Sequence, residues 1–188
     1  DIVVIQEGFQ DNIYEDLILD VNKSNSTYID IGGYIGDTVT YFAEKNIFKK
    51  LIVFEPMSEN MIYLKKNLLL NNLNNKITLF QKAVVENNDK TMNFFLDNNF
   101  GKSGFFKNNT SKKSIKVETI SFSEILKKND NVYLKIDCEG AEFELFSKLN
   151  KKYFKKIRLI VMEYHKKYYD LDILLDIIKK NGFEVSIK

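Results

Sequence analysis

The segment Tyr28–Asp37 constrains the fold of this chain more than any other. A short β-branched run ends at the acid Asp30, and a glycine-rich turn follows it. The glycines of this turn are Gly32, Gly33 and Gly36. Residues 38–45 then have the composition of the first turns of a helix. A strand, a glycine turn and a helix begin a nucleotide-binding α/β unit, because glycine lets the backbone approach a ligand that a side chain would exclude.

The spacing within the turn indicates which nucleotide it binds. A dinucleotide fingerprint needs Gly-x-Gly-x-x-Gly, but Tyr34 occupies its second glycine position. The pattern acid-x-Gly-x-x-x-Gly, formed by Asp30, Gly32 and Gly36, resembles motif I of the class I S-adenosylmethionine (SAM) methyltransferases. The acid and the backbone groups near the turn would bind the amino-acid end of SAM. The alternative is an ordinary tight strand-to-helix turn of another α/β protein.

A second acid follows the next apolar run. Leu51–Phe54 is followed by Glu55 and Pro56, about 20 residues beyond the turn, and an acid there can accept both ribose hydroxyls of an adenosine. Pro56 is the only proline, and it ends the strand and orients Glu55. Taken alone, Glu55 would be a surface acid; its spacing from Asp30 favours cofactor binding.

Composition limits the classes of partner. The 188 residues correspond to one domain spanning 1–188, with a net charge of +2 and a single arginine, Arg158, so nucleic acid is not expected as a partner. Cys138 is the only cysteine, and no apolar run approaches the ~18 residues of a membrane span. Without a recognisable signal peptide, these features predict a cytoplasmic protein with no membrane span. The oligomeric state stays open.

Strands and helices alternate along the chain. Strands are predicted at 27–31, 51–54, 77–85, 91–96, 114–120, 131–136, 157–163 and 183–187. Helices are predicted at 14–22, within an N-terminal lead-in of residues 1–26, and at 36–46, 58–70, 121–127, 140–149 and 169–180. The pattern predicts an α/β fold with a Rossmann-like, doubly wound, mostly parallel sheet.

The pattern also predicts a hairpin and the cap and buried face of one helix. No helix separates the strands 91–96 and 114–120, so they should form an antiparallel hairpin between the third and fourth parallel strands. The polar stretch 97–113 between them is a candidate substrate loop, or else a surface loop. In the helix 58–70, Ser58 is a candidate N-cap. The expected apolar stripe of that helix comprises Met61, Ile62, Leu64, Leu68 and Leu69.

Four predicted strands end at an acid: Asp30, Glu55, Asp137 and Glu163. Ligands of a doubly wound sheet bind at the carboxyl ends of its strands. His165 lies just beyond the last of these acids, on the side where the ligand is expected, and histidine is suited to proton abstraction near neutral pH. A structural or solvated histidine is the alternative.

The block Val132–Glu142 crowds three acids into one strand-to-helix junction. Asp137 lies where a methyltransferase places its motif IV residue, and it or Glu139 could act on a substrate hydroxyl. Helix N-terminal capping is the alternative, and it is the favoured interpretation of Glu142. Cys138 is interpreted as a structural cysteine, because acidic neighbours raise a thiol pKa.

Lys82 limits how adenine could bind, and a metal site is a separate alternative. Lys82 stands where many class I methyltransferases have an acid that binds the adenine amino group, and lysine cannot accept that hydrogen bond. Backbone groups around Ala83, or Gln81, would then have to contact the adenine edge. An oxygen-rich Mg²⁺ or Ca²⁺ site of Asp137, Glu139, Glu163 and His165 is an alternative, but no metal is assigned.

Taken together, these blocks resemble the FkbM family of SAM-dependent methyltransferases over about residues 27–165. The matching positions are Ile29–Gly36, Phe54–Pro56, Asn67 with Asn71, Lys82–Val84, Lys135–Glu142 and Glu163–His165. The resemblance implies a Rossmann-like methyltransferase fold and O-methylation of a hydroxyl on a sugar, a glycan or a natural product. Gly33 departs from the alanine that the family commonly has there.

The sequence therefore predicts an enzyme, a SAM-dependent O-methyltransferase with a small-molecule or glycan hydroxyl as acceptor. The expected cofactor-binding residues are Asp30, Gly32, Gly33, Gly36, Asp37, Glu55, Pro56, Ala83 and Asp137. The expected catalytic residues are Asp137 or His165 as base, with Glu139 and Glu163 orienting the hydroxyl. The alternatives are a catalytically silent SAM-binding partner or regulatory protein, and an NAD-binding oxidoreductase.

Overall fold

A computed structural model describes residues 25–87, 89–96, 103–104, 113–138, 140–163 and 169–185. Several predicted features lie outside these residues: the helix at 14–22, most of the candidate substrate loop 97–113, Glu139 and His165.

The described elements alternate along the chain as the sequence predicts. The strands are β1 (Thr27–Ile31), β2 (Lys50–Phe54), β3 (Ile77–Phe80), β4 (Ala83–Val85), β5 (Thr91–Leu96), β6 (Lys113–Ser121), β7 (Val132–Ile136) and β8 (Ile157–Met162). The helices are α1 (Asp37–Lys45), α2 (Ser58–Leu70), α3 (Phe122–Lys127), α4 (Glu142–Ser147), α5 (Lys151–Phe154) and α6 (Leu171–Lys180).

The described strands form two sheets. Five parallel strands pair in the order β3-β2-β1-β7-β8, and three more pair in the order β4-β6-β5. In the second sheet β5 and β6 are antiparallel, so the hairpin between the third and fourth strands of the parallel sheet is confirmed. The strand order reverses between β1 and β7, and such a switch point is where open α/β sheets bind their ligands.

Helices cover both faces of the parallel sheet, which confirms the doubly wound fold. Alternate residues of β1 point to opposite faces. On one face Ile29 and Ile31 join a core with residues of α3, α4, α5 and α6. On the other face Tyr28 packs with residues of α1 and α2. Because each fully buried apolar side chain contributes about 1.5–3 kcal/mol, these two cores hold the strand edges in place.

Several sequence-based boundaries differ from the structure. The strand predicted at 77–85 is divided into β3 and β4, which belong to different sheets, with Gln81 exposed between them. The helix predicted at 140–149 is shorter, and the short helix α5 after it was not predicted. Residues 183–185 are not in a strand, and the rest of that predicted strand lies outside the described residues.

The helix α2 has the predicted bounds but not the predicted cap or stripe. Its N-cap residue is Met57 rather than Ser58, with no side-chain hydrogen bond at the cap. Ile62 and Leu69, predicted to be part of the apolar stripe, are 53% and 63% exposed. The buried residues of α2 are Asn60, Met61, Leu64 and Leu68. Asn60 takes a place on the buried face because it bonds to a carboxylate, as described below.

Candidate active site

The strand register brings three of the predicted acids into one row. Ile31 of β1 is paired with Phe54 of β2 and with Ile136 of β7. Ile136 is paired in turn with Met162 of β8. The next residues along these strands are Glu55, Asp137 and Glu163, so they leave the same edge of the sheet at the same level. This edge includes the switch point between β1 and β7.

Asp30 lies within β1, one residue before the strand ends, and forms an ion pair with Lys135 of the neighbouring strand β7. Its side chain is 1% exposed, and its Oδ1 is 3.3 Å from Nζ of Lys135, the residue paired with it in β7. The same Nζ is 3.4 Å from the carbonyl oxygen of Gly32. Burial raises the pKa of Asp30 to about 6, because the loss of hydration outweighs the attraction to Lys135.

Glu55 is held by three donors directly after β2. Its Oε1 accepts hydrogen bonds from the backbone N–H of Met57 at 2.8 Å and from Nδ2 of Asn60 at 3.1 Å. Its Oε2 accepts the N–H of Tyr34 at 2.9 Å. The side chain is 4% exposed, and burial raises the pKa of Glu55 to about 7 in spite of these donors. The carboxylate is therefore fixed in direction, and it titrates near neutral pH.

The glycine turn fits closely against the residues around it. Gly32 has φ +85°, and an added Cβ would lie 1.8 Å from the carbonyl oxygen of Asp137. Tyr34 also has a positive φ, 46°, which is uncommon for a non-glycine residue. This conformation accompanies the N–H contact with Glu55. From α2, Asn67 donates its Nδ2 to the carbonyl of Ile35 at 2.8 Å, so the turn is held from three sides.

The remaining predicted cofactor residues are placed as follows. Gly33 is buried, and a Cβ there would lie 2.1 Å from Cγ1 of Val53, so an alanine would fit only if Val53 moved. Gly36 and Asp37 form the N-cap and the first residue of α1. Pro56 is half-buried next to Glu55. The structure places Ala83 in β4 of the second sheet, outside the row of acids.

The junction after β7 is organised by Glu142. This residue is fully buried in the first turn of α4, and its Oε1 accepts the N–H groups of Cys138 at 3.1 Å and Gly140 at 3.2 Å. Burial, together with the carboxylates of Glu142 and Asp137, raises the pKa of the Cys138 thiol well above its usual range. A thiol in this state is a poor nucleophile, as its sequence neighbours predict. Asp137 itself is half-buried.

Of the other predicted catalytic residues, the structure describes Glu163. Glu163 is exposed, and its N–H bonds to the carbonyl of Ile136 at 3.0 Å. Glu139 and His165 lie outside the described residues, so their roles stay predictions. Within the described part of the chain, no group of three or more His, Cys, Asp or Glu residues could hold a metal ion.

Sequence reasoning missed the side chains that support these acids. Lys135 pairs with Asp30, Asn60 bonds to Glu55, and Tyr169 donates its hydroxyl to Oε2 of Glu142 at 2.6 Å. The role of Lys135 could have been suspected from the sequence, because it is the one charged residue in the apolar run of β7. Lys82, discussed above as a misfit for adenine, is paired with Glu118 at 3.0 Å.

The sequence was compared with known protein families. The sequence pattern of the Methyltransferase FkbM domain matches residues 30–185. The chain belongs to the FkbM methyltransferase family. This match covers both the glycine turn and the junction after β7, and it confirms the resemblance seen in the sequence.

A solved structure shares the fold. A crystal structure of methyltransferase FkbM from Methylobacillus flagellatus KT aligns with a TM-score of 0.52 and 18% sequence identity. The alignment covers 79% of this chain and 36% of the other, so this FkbM domain spans little more than a third of that protein. No curated protein matches the sequence significantly. Among the helices of the described residues, none combines the length and the apolar character that crossing a membrane requires.

Proposed function

We propose that this FkbM domain is a SAM-dependent O-methyltransferase whose acceptor is a hydroxyl of a sugar, a glycan or a natural product. The observation that carries the proposal is the position of Glu55. Its carboxylate is held by three donors beside a glycine turn, at the edge of the sheet where the strand order reverses. A carboxylate there is suited to accept the two ribose hydroxyls of an adenosine.

The donor set around the turn favours SAM over a dinucleotide. The lone arginine, Arg158, bonds to Asn131 before β7, at the opposite end of that strand from Asp137. Tyr34 occupies the position where a pyrophosphate turn needs glycine. We assign the amino-acid end of SAM to the turn, formed by Gly32, Gly33 and Gly36 with Asp37, and its adenosine to the side of Glu55, Pro56 and Ala83. Asp30 is assigned a supporting role, since Lys135 joins its carboxylate to the carbonyl of Gly32.

For this reaction the protein must position the acceptor hydroxyl next to the methyl group and remove one proton from it. Bound SAM supplies an electrophilic methyl group on a sulfonium, which is a good leaving group. Asp137, half-buried beside Gly32, is assigned as the base that takes the proton of the acceptor hydroxyl, with His165 as the alternative base. Glu139 and Glu163 are assigned to orient the hydroxyl, because carboxylates accept hydrogen bonds from hydroxyl groups.

The same carboxylates indicate the kind of acceptor. A site with Asp137 and Glu163 at its edge is complementary to a neutral, polyhydroxylated molecule and repels an anionic one. The single cysteine supports a reducing compartment, and we place the protein in the cytoplasm on that ground.

Isothermal titration with SAM, and separately with NAD, tests the proposal. We expect SAM to bind in the micromolar range and Glu55→Gln to weaken this binding at least tenfold, the effect of losing charge-assisted hydrogen bonds. The matched control is Glu59→Gln, an exposed acid in the first turn of α2 that should leave the affinity unchanged. No SAM binding, or a preference for NAD, would overturn the assignment of the cofactor.

Transfer is then measured with radiolabelled SAM and a panel of sugars and sugar alcohols. An enzyme with Asp137 as base should lose transfer in Asp137→Asn while it still binds SAM. A protein that binds SAM but methylates no member of the panel would instead fit a catalytically silent SAM-binding subunit.

A further inference from the structure

The Glu142 carboxylate joins two chain connections that leave the same edge of the sheet. One is the β7-to-α4 connection, of which Glu142 holds the N–H groups of Cys138 and Gly140. The other is the β8-to-α6 connection, whose last residues before α6 include Tyr169, the donor to Oε2 at 2.6 Å. Both oxygens of a fully buried carboxylate are therefore used to hold backbone and hydroxyl groups near the site.

The two N–H groups bound by Glu142 belong to residues that follow Asp137. We call residues 137, 138 and 140 the Asp137 loop. At its start the N–H of Asp137 bonds to the carbonyl of Ile31 at 2.9 Å, and its carbonyl lies against Gly32, where no Cβ fits. At its end Gly140 has φ +105° and bonds to Glu142. The loop thus lies between the glycine turn on one side and the Glu142 carboxylate on the other.

Tyr169 is held in its own position by a second contact. Its ring stacks on Phe143 of α4, with centroids 5.4 Å apart and an interplanar angle of 27°. This contact places the ring beside α4, the helix that begins at Glu142. At the start of the same connection, the N–H of Glu163 bonds to Ile136 at the end of β7. Both described flanks of the β8-to-α6 connection are bonded to the region around the Asp137 loop.

We propose that Glu142 and Tyr169 are positioning residues that fix the Asp137 loop against the glycine turn. The hydrogen bond from Tyr169 orients the carboxylate, and the carboxylate orients the two N–H groups beside Asp137. The inference rests on the proposed function only in taking Asp137 as the residue next to the transferred methyl group. The bonds that fix the loop do not depend on which ligand occupies the site.

Cys138 offers a direct measurement, because it is the only cysteine and lies in the Asp137 loop. The probe is the rate at which 5,5′-dithiobis(2-nitrobenzoate) modifies this thiol in the native protein without ligand. Tyr169→Phe removes one hydroxyl and keeps the ring stack. We expect it to raise the rate about tenfold, the factor for losing one hydrogen bond to a charged group. The rise should be independent of low urea concentrations, which indicates local opening of the loop rather than unfolding.

The matched control is Tyr153→Phe, a half-buried tyrosine that packs against the same core and whose hydroxyl makes no hydrogen bond with the described residues. It should leave the rate unchanged. The effect of Tyr169→Phe should also disappear in a Glu142→Ala background, which removes the acceptor of the Tyr169 hydroxyl. Each rate is divided by the thiolate fraction measured for that variant, because the Glu142 carboxylate raises the pKa of the Cys138 thiol. An unchanged rate in Tyr169→Phe, equal effects of both tyrosine variants, or additive effects with Glu142→Ala would overturn the proposal.

The thiol measurement is independent of the cofactor assignment. Failure of SAM to bind would overturn the proposed function and leave the thiol rates to be judged separately. If SAM binds and an acceptor is known, Tyr169→Phe should lower kcat while the KM for SAM stays within about twofold. A parallel loss of kcat and of thermal stability, with no change in the thiol rate, would make the contact structural only.

Discussion

The two halves of the strand edge are built differently. Around β1 and β2 the acids Asp30 and Glu55 are almost completely buried, and each is bonded to groups of the protein. Around β7 and β8 the acids Asp137 and Glu163 are half-buried and exposed, respectively. Under the proposed function, the buried acids would hold the cofactor on a rigid surface. The more open acids would be accessible to the acceptor hydroxyl, which loses its proton in the reaction.

The difference also separates two uses of a carboxylate. On the β1–β2 side both acids have a raised pKa because burial removes their hydration, so their charge is costly and depends on specific partners. On the β7–β8 side the buried acid is Glu142. Its carboxylate accepts hydrogen bonds from backbone N–H groups, so it is not available to a ligand. Changes on the first side should therefore act on stability and cofactor affinity together.

The largest effect is expected for Gly32→Ala. The added Cβ would overlap the carbonyl of Asp137 and would require φ +85°, so we expect a loss of at least about 4 kcal/mol in the free energy of unfolding. Urea unfolding followed by circular dichroism measures it. Gly182→Ala is the control, because Gly182 has φ +93° with no atom within 4 Å of the added Cβ and should cost only about 1–2 kcal/mol. Equal losses would show that the contact with Asp137 is unimportant.

The next largest effect is expected for Lys135→Met, which leaves Asp30 buried without its cation. We expect a loss of about 3 kcal/mol at pH 8, typical of breaking a buried pair. The pKa of Asp30 is already raised to about 6, so its contribution to stability is full below about pH 4 and is lost as the pH rises through 6. Without Lys135 that pKa rises further, and the variant should be nearer to the wild type at pH 5.

Urea unfolding at pH 5 and pH 8 measures this difference. Lys82→Met, which breaks the largely exposed pair with Glu118, is the control and should cost at most about 1 kcal/mol at either pH. A loss in Lys135→Met that does not depend on pH would mean that the charge of Asp30 is not what Lys135 stabilises.

A smaller effect, about tenfold, is expected in the pH dependence of SAM binding. The pKa of Glu55 is about 7 in the free protein, and ribose hydroxyls donate to the ionised carboxylate. Because only about a tenth of Glu55 is ionised at pH 6, the affinity for SAM should be roughly tenfold weaker there than at pH 8. Titration calorimetry at both values measures it, and Glu55→Gln should remove the pH dependence. An affinity that falls with rising pH would contradict this assignment.

The smallest effect is expected for Asn67→Ala. The lost hydrogen bond to the carbonyl of Ile35 should cost about 1 kcal/mol of stability and weaken SAM binding only a few-fold. The control is Asn71→Ala, because the exposed Asn71 donates its Nδ2 to the carbonyl of Asn67 in its own helix and, among the described residues, does not contact the turn. If both variants bind SAM equally well, the contact from α2 does not shape the glycine turn.

Local sequence signals predicted the bounds of elements well where the flanking residues are distinctive. The bounds of β1 and α2 match the prediction, because a β-branched run ends at the glycine turn in β1 and an uninterrupted run of 13 residues without glycine or proline forms α2. The division of 77–85 into β3 and β4 was not predictable from periodicity, since apolar residues continue on both sides of Gln81. The four-residue helix α5 is too short to show a helical repeat.

The acids of the candidate site were recognisable in the sequence, but the side chains that contact them were not. Asp30 and Glu55 stand at recognisable places after apolar runs. Which side chain contacts each acid depends on the strand order and on how α2 packs. Neither can be predicted from the spacing of residues along the chain. Lys135 is 105 residues from Asp30 in the chain and becomes its neighbour only because β7 pairs with β1.

That separation has a consequence for synthesis on the ribosome. The strands β1, β2 and β3 are made first and can pair in order, but β1 remains an edge strand until β7 emerges. A nascent chain therefore carries Asp30 without Lys135 beside it while the intervening segment is translated, for about 5–20 s at ordinary elongation rates. The side of the sheet to which we assign the cofactor is therefore begun early in synthesis and completed late.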